Sequence, residues 1–514
     1  AVAAMHSRNG ADFSSQTFDY IVVGGGTAGL ALAARLSENP KVSVGVIEAG
    51  PYFENDPLID TPALAGQLQG NSKYDWMFRS VPQSHVNDRS LPMPRGKALG
   101  GSSAINLHGE PQKCGFSEGL RGFCQQSALD QRFLAQNPHP RPNFIVPTEA
   151  QATKIEFGSS ASDKNDKVTA TGVSFVHNST SYSVKARKEV ILSAGAFQTP
   201  QLLELSGIGN SSILQQNGIT TLVDLPGVGE NLQDHLLIPS TYELKPGPTT
   251  LDILRNNASY AGDAQAQYAA THDGIYTAST STLAFINLDN IVTPTELSNM
   301  IAKLDREIAV GRTTKLQKSQ YSIQKDWLKK KVGSLEVVLT QAYGGAGTPK
   351  ANTYYASIQM VIQHPFSRGS VHINSSGPLK PPEINPNYFT NSIDQEILVQ
   401  ALKFGLKIYQ TEPLASFVIT RQDPPPETSS DEEYTEYTKS NVRTIFHPIG
   451  TPTLAPRAIG GVVDTTLKVY GTSNVRVVDA SIIPIHMGTH ISRTVYGIGE
   501  RAATIIADKA SQID

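Results

Sequence analysis

The clearest pattern of apolar and polar positions lies close to the N-terminus. An apolar run at residues 20–23 leads into the glycine-rich sequence GGGTAG at residues 24–29, and two leucines four positions apart follow it. A second apolar run at residues 42–47 ends at the acidic residue Glu48. Short apolar runs indicate buried strands, and apolar residues four apart indicate one face of a helix. The pattern therefore predicts a strand, a tight turn, a helix and a second strand.

The glycines of this turn predict a binding site for a dinucleotide. The first glycine permits the turn, the second lets the backbone approach a pyrophosphate, and the third lets the helix pack on the strand. The positive end of the helix dipole favours the phosphate anion, and a carboxylate at position 48 can accept a hydrogen bond from a ribose hydroxyl. The cofactor-binding residues predicted in this segment are Gly24, Gly26, Thr27, Ala28, Gly29 and Glu48.

The rest of the pattern divides the chain into three segments. Residues 17–242 carry the glycine turns and predict the N-terminal part of a nucleotide-binding domain. Residues 243–445 have few glycine motifs, and alternating stretches at residues 354–362 and 369–373 predict strands of a second domain with an antiparallel sheet. In residues 446–514 the first kind of pattern returns, so this segment is predicted to rejoin the first domain.

Charge and composition exclude several classes of partner. The 514 residues include 43 basic and 46 acidic side chains, and this near balance argues against a nucleic-acid or membrane-surface role. No apolar run is long enough to span a bilayer, and no spacing of ligands around the histidines is typical of a metal site. We therefore expect a protein that acts on small molecules.

The compartment is predicted from glycosylation-type sequons and from the cysteines. The polar start of the chain is not a signal peptide, so any such peptide is absent from this sequence. Cys114 and Cys124 are the only cysteines, and both a disulfide and a free buried pair are compatible with the sequence. Sequons suggest a secreted protein or one in the lumen of the endomembrane system. They lie at Asn178, Asn210, Asn257 and Asn374.

Eight sequence blocks in a fixed order carry a resemblance to a known family. They are DYIVVGGGTAGLALAARL, IEAG, GKALGGSSAIN, GAFQTPQLLELSGIG, GVGENLQDH, HPIGT, VYGTSNVRVVDASIIP and GERAA. Together they resemble the glucose–methanol–choline (GMC) family of flavin oxidoreductases, especially its fungal secreted alcohol oxidases and dehydrogenases. The resemblance implies the α/β class, with a Rossmann-like FAD-binding domain of the GMC and glutathione-reductase-like kind. An interleaved α+β substrate domain on an antiparallel sheet and FAD as cofactor are also implied.

The resemblance also implies roles for individual residues. His447 and His490 fall where the family has its catalytic pair, and His486 is expected to neighbour the substrate pocket. His108 and His235 are expected to be flavin-adjacent or structural. Asp479 is expected near the ribityl phosphate, although it could also cap a helix N-terminus. The further cofactor-binding residues implied are Gly101, Ser102, Asn106, Thr153, Asp479 and Ala480.

One segment departs from the family pattern. The block at residues 96–106 continues for five residues and then passes abruptly into Gln112, and the family pattern resumes near Arg141. Tens of residues are missing relative to the family, most simply between Pro111 and Gln112. In the family this stretch closes over the flavin, so its loss predicts a more exposed flavin.

The first hypothesis is an FAD-dependent oxidoreductase that oxidises a small-molecule alcohol to an aldehyde or ketone. A base must take the hydroxyl proton while a hydride leaves carbon for flavin N5, and histidine suits this task near neutral pH. We favour His447 as the base and His490 as its hydrogen-bond partner, because the sequence around His447 is the clearer match. Oxygen or another acceptor would reoxidise the flavin.

Other hypotheses remain open at this point. The family includes non-redox lyases and cyclases of fungal secondary metabolism, and the same two histidines would serve them as acid and base. A catalytically silent product of an altered transcript is a further alternative. A nicotinamide enzyme would explain the glycine turn but not the later blocks.

Overall fold

A computed structural model of the chain describes residues 9–106, 141–158, 167–278, 282–311 and 313–510. The predictions for His108, for the junction of Pro111 with Gln112, and for Cys114 and Cys124 lie outside the described residues. The strands are β1 (Thr17–Val23), β2 (Val44–Ile47), β3 (Phe144–Ile145), β4 (Ala150–Phe157), β5 (Ala170–His177), β6 (Thr180–Leu192), β7 (Ile208–Gly209), β8 (Val223–Asp224), β9 (Glu230–Leu232), β10 (Leu236–Leu244), β11 (Thr282–Ile286), β12 (Leu335–Thr340), β13 (Tyr355–Ile362), β14 (Gly369–His372), β15 (Glu383–Asn385), β16 (Val418–Asp423), β17 (Arg443–Thr444) and β18 (Val475–Val477). The α-helices are α1 (Gly10–Ser14), α2 (Thr27–Leu36), α3 (Pro57–Asp60), α4 (Gly195–Leu205), α5 (Ser211–Gln216), α6 (Asp252–Asn256), α7 (Ala258–Thr271), α8 (Pro294–Val310), α9 (Lys315–Lys329), α10 (Ser392–Ile408), α11 (Asp431–Asn441) and α12 (Ser492–Ala510).

The first sheet has the order β3-β2-β1-β6-β5-β4, and β18 also pairs with β6. The pairs β3–β2, β2–β1, β1–β6 and β6–β18 are parallel, whereas the pairs β6–β5 and β5–β4 are antiparallel. β6 is long enough to pair with β5 along its first half and with β18 along its last residues. The parallel strands of this sheet are buried, as is typical of a sheet that is covered on both faces. The predicted α/β fold class is therefore confirmed.

The segment β1–α2–β2 has the predicted order of strand, turn, helix and strand. The helix begins at Thr27, directly after the glycines, and β2 ends one residue before Glu48. All seven residues of β1 except the first are buried, which explains their apolar run. The glycine turn and Glu48 consequently lie at the carboxyl ends of two adjacent parallel strands, where ligands of such sheets bind.

The C-terminal helix α12 packs on α2 and closes the first domain. Gly499 lies at the crossing, where an added Cβ would stand 2.7 Å from the carbonyl oxygen of Ala28. A glycine is therefore required for this close approach. Arg35 of α2 and Glu500 of α12 form an ion pair beside it, 3.2 Å apart.

The second sheet is antiparallel, with the order β11-β12-β13-β10-β16 and with β17 paired to β10. Helix α10 packs against β13 and β10, and their apolar side chains form a second buried cluster separate from that of the first sheet. The strand predicted at residues 354–362 corresponds to β13. Two buried clusters on two sheets agree with a second unit inserted in the chain of the first.

The structure differs from the sequence at two predicted boundaries. β10 pairs with β13 from Leu236 onward, so the second sheet begins before residue 243, because the chain enters it without an intervening turn. The core of the first sheet reaches beyond residue 17 toward the N-terminus, since Phe13 of α1 is fully buried and stacks on Phe18 with ring centroids 4.9 Å apart. The strand predicted at residues 369–373 is β14, which joins a small separate sheet of order β15-β14-β9.

Candidate active site

One cavity runs from the glycine turn to two histidines of the C-terminal segment. Gly24, Gly26 and Glu48 line one end, and His447 and His490 line the other. The cavity thus joins residues that are more than 400 positions apart in the chain. The predicted site residues on its wall are Gly24, Gly26, Thr27, Ala28, Glu48, Gly101, Ser102, Asn106, His447, Asp479, Ala480 and His490.

The nucleotide end of the cavity is formed by backbone. Gly26 precedes the first helical residue of α2 and has no side chain with which to cap the helix, so N–H groups at the helix N-terminus are directed at the cavity. A Cβ at Gly101 would lie 2.8 Å from the Cα of Gly26, so the two glycine loops touch at this point. Gly29 lies behind the wall, where a Cβ added to it would stand 2.0 Å from the carbonyl oxygen of Gly24. This bare helix N-terminus fits a pyrophosphate.

Glu48 supplies the carboxylate of the nucleotide end. It is 6% exposed, its Oε2 accepts from the N–H of Gly25 at 2.7 Å, and its Oε1 accepts from the N–H of Gly50 at 2.6 Å. Burial raises the pKa of Glu48 to about 7, against these two hydrogen bonds. Each carboxylate oxygen can accept a further hydrogen bond. The position of Glu48 on the cavity wall therefore fits a ribose hydroxyl, as the sequence predicted.

Asp479 ties the C-terminal segment to α4. Its Oδ2 accepts from the N–H of Gly195 at 2.9 Å and from the hydroxyl of Thr199 at 2.6 Å. Its Oδ1 accepts from the N–H of Ser481 at 2.8 Å, which caps the short 3₁₀-helix Ala480–Ile482. The capping role that the sequence left open is therefore present. Asp479 and Ala480 still line the cavity, which is compatible with the predicted place near the ribityl phosphate.

Thr153 lies off the cavity wall, and its neighbours Gln151 and Ala152 occupy that position. The pairing of β4 with β5 is irregular between Ala152 and Lys154, so the strand is shifted at Thr153. The family resemblance implies a contact with adenine through the backbone of Thr153. This contact stays a prediction, and Ala152 is the nearer residue on the wall.

His447 is held from behind by a second imidazole. Its Nδ1 lies 3.0 Å from Nδ1 of His235, and Nε2 of His235 lies 2.9 Å from the carbonyl oxygen of Gln363. Of these two rings only that of His447 lines the cavity, since His235 is fully buried. His235 is therefore part of the support of the site, one of the two roles that the sequence allowed.

His490 is held from behind by a carboxylate. Its Nε2 lies 2.7 Å from Oε1 of Glu336, which is fully buried on β12. The other oxygen of Glu336 accepts from the side-chain amide of Gln363 at 3.0 Å. The ring centroids of His447 and His490 are 5.2 Å apart. The two rings are therefore close enough to contact the same substrate group.

His486 does not fit its predicted place in the substrate pocket. It is fully buried, stacks on His235 with ring centroids 3.5 Å apart, and its Nε2 lies 2.8 Å from the carbonyl oxygen of His447. Burial lowers the pKa of His486 to about 3, so the ring stays neutral. Among the described residues it lies behind the cavity wall rather than on it. The reason is that the chain between His486 and His490 is irregular, so a spacing of four does not place them on one face.

Asp234 and Arg95 fix the backbone of Phe446 and His447. Oδ1 of Asp234 accepts from the N–H of His447 at 2.9 Å, and Oδ2 accepts from the hydroxyls of Thr444 and Tyr388. Burial raises the pKa of Asp234 to about 6, although the hydrogen bond from Thr444 and the charge of Arg95 oppose this. The guanidinium of Arg95 donates to the carbonyl oxygen of Phe446. These contacts hold the loop that carries the first histidine.

Of the residues that support the histidines, sequence reasoning singled out only His235, as flavin-adjacent or structural. Asp234 precedes it in the block GVGENLQDH, and Arg95 immediately precedes GKALGGSSAIN, so position within or next to a recognised block was their only signal. The sequence signal for Glu336 was weaker: it is a carboxylate within the otherwise apolar strand β12. A fully buried carboxylate requires a partner, which is here His490.

The described residues provide neither a metal site nor a membrane-spanning helix. Within the described ranges, no group of three or more potential ligand side chains could hold a metal ion. Over the same part of the chain, no helix has the length and apolar character needed to cross a bilayer.

Family models match this chain in two long regions. Residues 106–237 match the N-terminal model of GMC oxidoreductases, and residues 365–499 match the C-terminal model described by the same name. Residues 19–76, which contain the glycine turn, also match a model of lycopene cyclase proteins. The C-terminal match contains His447 and His490, and the N-terminal match contains Asn106 and Ala152 of the cavity wall, whereas the glycine turn and Glu48 lie before it.

Similar proteins span nearly the whole chain. A dehydrogenase from Armillaria gallica is 33% identical over 96% of this chain and 94% of its own length, and an alcohol dehydrogenase [acceptor] from Pseudomonas putida is 30% identical over 96% of each. The alignment with the Armillaria gallica dehydrogenase has 604 positions, more than the 514 residues of this chain, so the sequence of this chain contains gaps in it. A structure of formate oxidase from Aspergillus oryzae, titled for its FAD modification, has a TM-score of 0.79 at 25% identity and covers 97% of this chain and 99% of its own.

Proposed function

Because this chain belongs to the GMC oxidoreductase family and uses FAD as cofactor, we propose that it oxidises an alcohol to an aldehyde or ketone. The observation that carries the proposal is the single cavity between the glycine turn and the paired imidazoles. Such a cavity allows a dinucleotide held at one end to reach a substrate held at the other. An alcohol needs a base beside its hydroxyl group, and the two histidines supply one.

His447 is proposed as the base. Its Nδ1 contacts His235, and we assign the substrate hydroxyl to Nε2. The contacts of Arg95 with Phe446 and of Asp234 with the N–H of His447 hold the backbone that carries this ring. Positioning of this kind is the main requirement for a general base.

His490 is proposed to bind the same hydroxyl oxygen and to share the charge of the proton. A carboxylate can only accept hydrogen bonds, so Nε2 of His490 donates to Glu336. The negative charge of Glu336 would stabilise a positive charge on the ring of His490. Glu336 would thus act on His490 as a positioning residue and not on the substrate.

FAD, when bound, supplies the acceptor for the hydride that leaves the substrate carbon. Gly26, Thr27 and Glu48 would hold its pyrophosphate and ribose, and Ala152 rather than Thr153 would contact the adenine. Oxygen or another small acceptor would then take the electrons. The similarity to an alcohol dehydrogenase supports the proposed substrate class, while formate oxidase shows that the fold also serves a different donor.

The test is the visible spectrum of the flavin under anaerobic conditions. Bleaching of the oxidised flavin by members of a panel of primary and secondary alcohols would support the proposal. His447→Ala should retain FAD and lower the rate of bleaching by about 100- to 10,000-fold, the usual contribution of a general base. Formate is the comparison substrate, and bleaching by formate alone would exclude alcohol oxidation.

The same experiment addresses the non-redox alternative. Conversion of a substrate without any bleaching would indicate a lyase or cyclase that uses the histidines as acid and base. Protein that binds no FAD would contradict the assignment of the cavity itself.

We also propose that the protein is exported. Three of the sequons have exposed asparagines, at Asn178, Asn257 and Asn374, and exposure is necessary for modification. Protein from a fungal expression host should lose mass on treatment with an endoglycosidase, and an unchanged mass would contradict the proposal.

A further inference from the structure

His235 connects the proposed base to the interior of the protein. It is fully buried, and its two ring nitrogens have two different partners: His447 at 3.0 Å from Nδ1 and the carbonyl oxygen of Gln363 at 2.9 Å from Nε2. Each contact constrains which nitrogen carries a hydrogen. The tautomer of His447 can therefore be deduced from the chain of contacts.

The contact with Gln363 determines which nitrogen of His235 carries a hydrogen. A backbone carbonyl oxygen can only accept, so Nε2 of His235 must carry the hydrogen of that contact. Burial lowers the pKa of His235 well below its usual value, as do the neighbouring rings of His486 and His447, so the ring is neutral and its Nδ1 is an acceptor. The hydrogen between the two Nδ1 atoms then belongs to His447. Nε2 of His447 is consequently the basic nitrogen of that ring.

We propose that His235 is a positioning residue that holds the neutral His447 as the Nδ1–H tautomer, in which Nε2 carries no hydrogen. The catalytic consequence rests on the proposed function, in which His447 is the base. The tautomer itself does not depend on that function. An imidazole in water favours the other tautomer, in which Nε2 carries the hydrogen and cannot act as a base.

Two further contacts keep the ring of His235 from turning. It stacks on His486 at 3.5 Å, and His486 in turn contacts the carbonyl oxygen of His447 through Nε2. Gln363 anchors the second histidine as well, because its side-chain amide donates to Glu336, the partner of His490. One residue of the second sheet therefore supports both rings by separate atoms.

The competing explanation is that His235 only fills space in the core. Two substitutions of similar polarity separate the explanations. In His235→Asn the amide oxygen takes the place of Nδ1 and can still accept from His447, while the donor to Gln363 is lost. In His235→Gln the amide nitrogen takes the place of Nε2 and can still donate to Gln363, while the acceptor for His447 is lost.

The first measurement reads the tautomer directly. Holoenzyme labelled with ¹⁵N at histidine is studied by NMR, and His447→Asn identifies the signals of that ring by their loss. We expect the shift pattern of the Nδ1–H form for His447 in the wild type and in His235→Asn, and loss of this pattern in His235→Gln. A hydrogen on Nε2 of His447 in the neutral wild-type ring would overturn the proposal.

The second measurement compares catalysis with stability. The rate of flavin reduction at saturating alcohol should fall about 10-fold in His235→Gln and stay within about twofold of wild type in His235→Asn. The loss of stability in urea unfolding should be larger in His235→Asn than in His235→Gln, because His235→Asn leaves the buried carbonyl of Gln363 without its donor. Equal losses of rate in both variants, or losses that follow stability, would support the space-filling explanation and contradict ours.

The two proposals fail in different ways. If no alcohol reduces the flavin but the NMR pattern is as expected, the proposed function is wrong and the tautomer assignment stands. If alcohols reduce the flavin in wild type and His235→Gln alike, the proposed function stands and the role of His235 is wrong.

Discussion

Two histidine–carboxylate pairs among the described residues have the same contact distance and similar exposure. In one, His490 lies 2.7 Å from the fully buried Glu336, and the histidine side chain is 19% exposed. In the other, His372 of β14 lies 2.7 Å from the fully buried Glu204 of α4, and the histidine side chain is 17% exposed. The first pair lies on the cavity with a second imidazole nearby, and the second pair lies outside it.

The two pairs differ in what surrounds the histidine. His372 is enclosed by carboxylates, because its Nε2 also lies 3.2 Å from Glu230, and Glu204 accepts from the N–H of Ile373 as well. Burial opposes the charged form, but the hydrogen bonds to Glu204 and Glu230 outweigh it and raise the pKa of His372 to about 9. At neutral pH His372 is thus a cation that links β14 to α4 and β9. A histidine–carboxylate contact alone therefore does not identify a catalytic residue.

The largest difference between the pairs is expected on removal of the imidazoles. His490→Ala should lower the rate of flavin reduction by about 100-fold, because the substrate oxygen and the transferred proton lose a partner. His372→Ala should leave this rate within about twofold of wild type, since no atom of it reaches the cavity. Anaerobic stopped-flow absorbance measures both. Equal effects of the two substitutions would remove the functional distinction.

A smaller difference is expected when only the carboxylate charge is removed. Glu336→Gln keeps the side-chain volume and one acceptor oxygen but takes away the charge that stabilises a cationic His490, so flavin reduction should slow by about 10-fold. Glu204→Gln should act on stability and not on rate, because it weakens the contact with His372. Rates and urea midpoints of both variants, measured side by side, check this. A rate loss in Glu204→Gln would contradict it.

The pH dependence of stability should identify the His372 pair. The pKa of His372 is raised from 6.5 to about 9 on folding, so its stabilisation is complete below pH 6.5 and is lost as the pH rises through 9. The advantage of wild type over His372→Gln in free energy of unfolding should therefore shrink by about 3 kcal/mol between pH 6 and pH 10. Urea unfolding at several pH values measures it. A constant difference would mean that His372 is not charged.

The smallest effect is expected from the outer carboxylate of this pair. Glu230 is 53% exposed on its side chain, so its attraction for His372 is screened by water. Glu230→Gln should cost at most about 1 kcal/mol of unfolding free energy at pH 7. A larger loss in urea unfolding would assign the main contact of His372 to Glu230 instead of Glu204.

Sequence reasoning was most successful where the chemistry is local. The strand, turn, helix and acidic residue between Thr17 and Glu48 follow from patterns within some thirty residues, and the structure has them in that order. The place of Thr153 is less well defined by the sequence, because it lies off the cavity wall where the pairing of β4 with β5 is irregular. Such an irregularity of pairing leaves no mark in the apolar pattern of the strand.

The histidine end of the cavity could be predicted only in part. His447 and His490 were found from the sequences around them, but their supports come from distant strands: His235 precedes β10, Glu336 lies on β12 and Gln363 follows β13. No local pattern records which strands of the second sheet are neighbours. The assignment of His486 to the pocket failed for a related reason, since spacing predicts a shared face only in a regular helix.

The return of the chain to the first sheet has a consequence for how this protein is synthesised. β18 and α12 are made after the other described elements, yet β18 pairs with β6 and α12 packs on α2. The nucleotide-binding unit therefore stays incomplete until this segment has been synthesised, and its formation requires closure of a very long loop. Nascent chains that stop before residue 475 should be targets for chaperones and proteases, and cofactor capture should follow synthesis of α12.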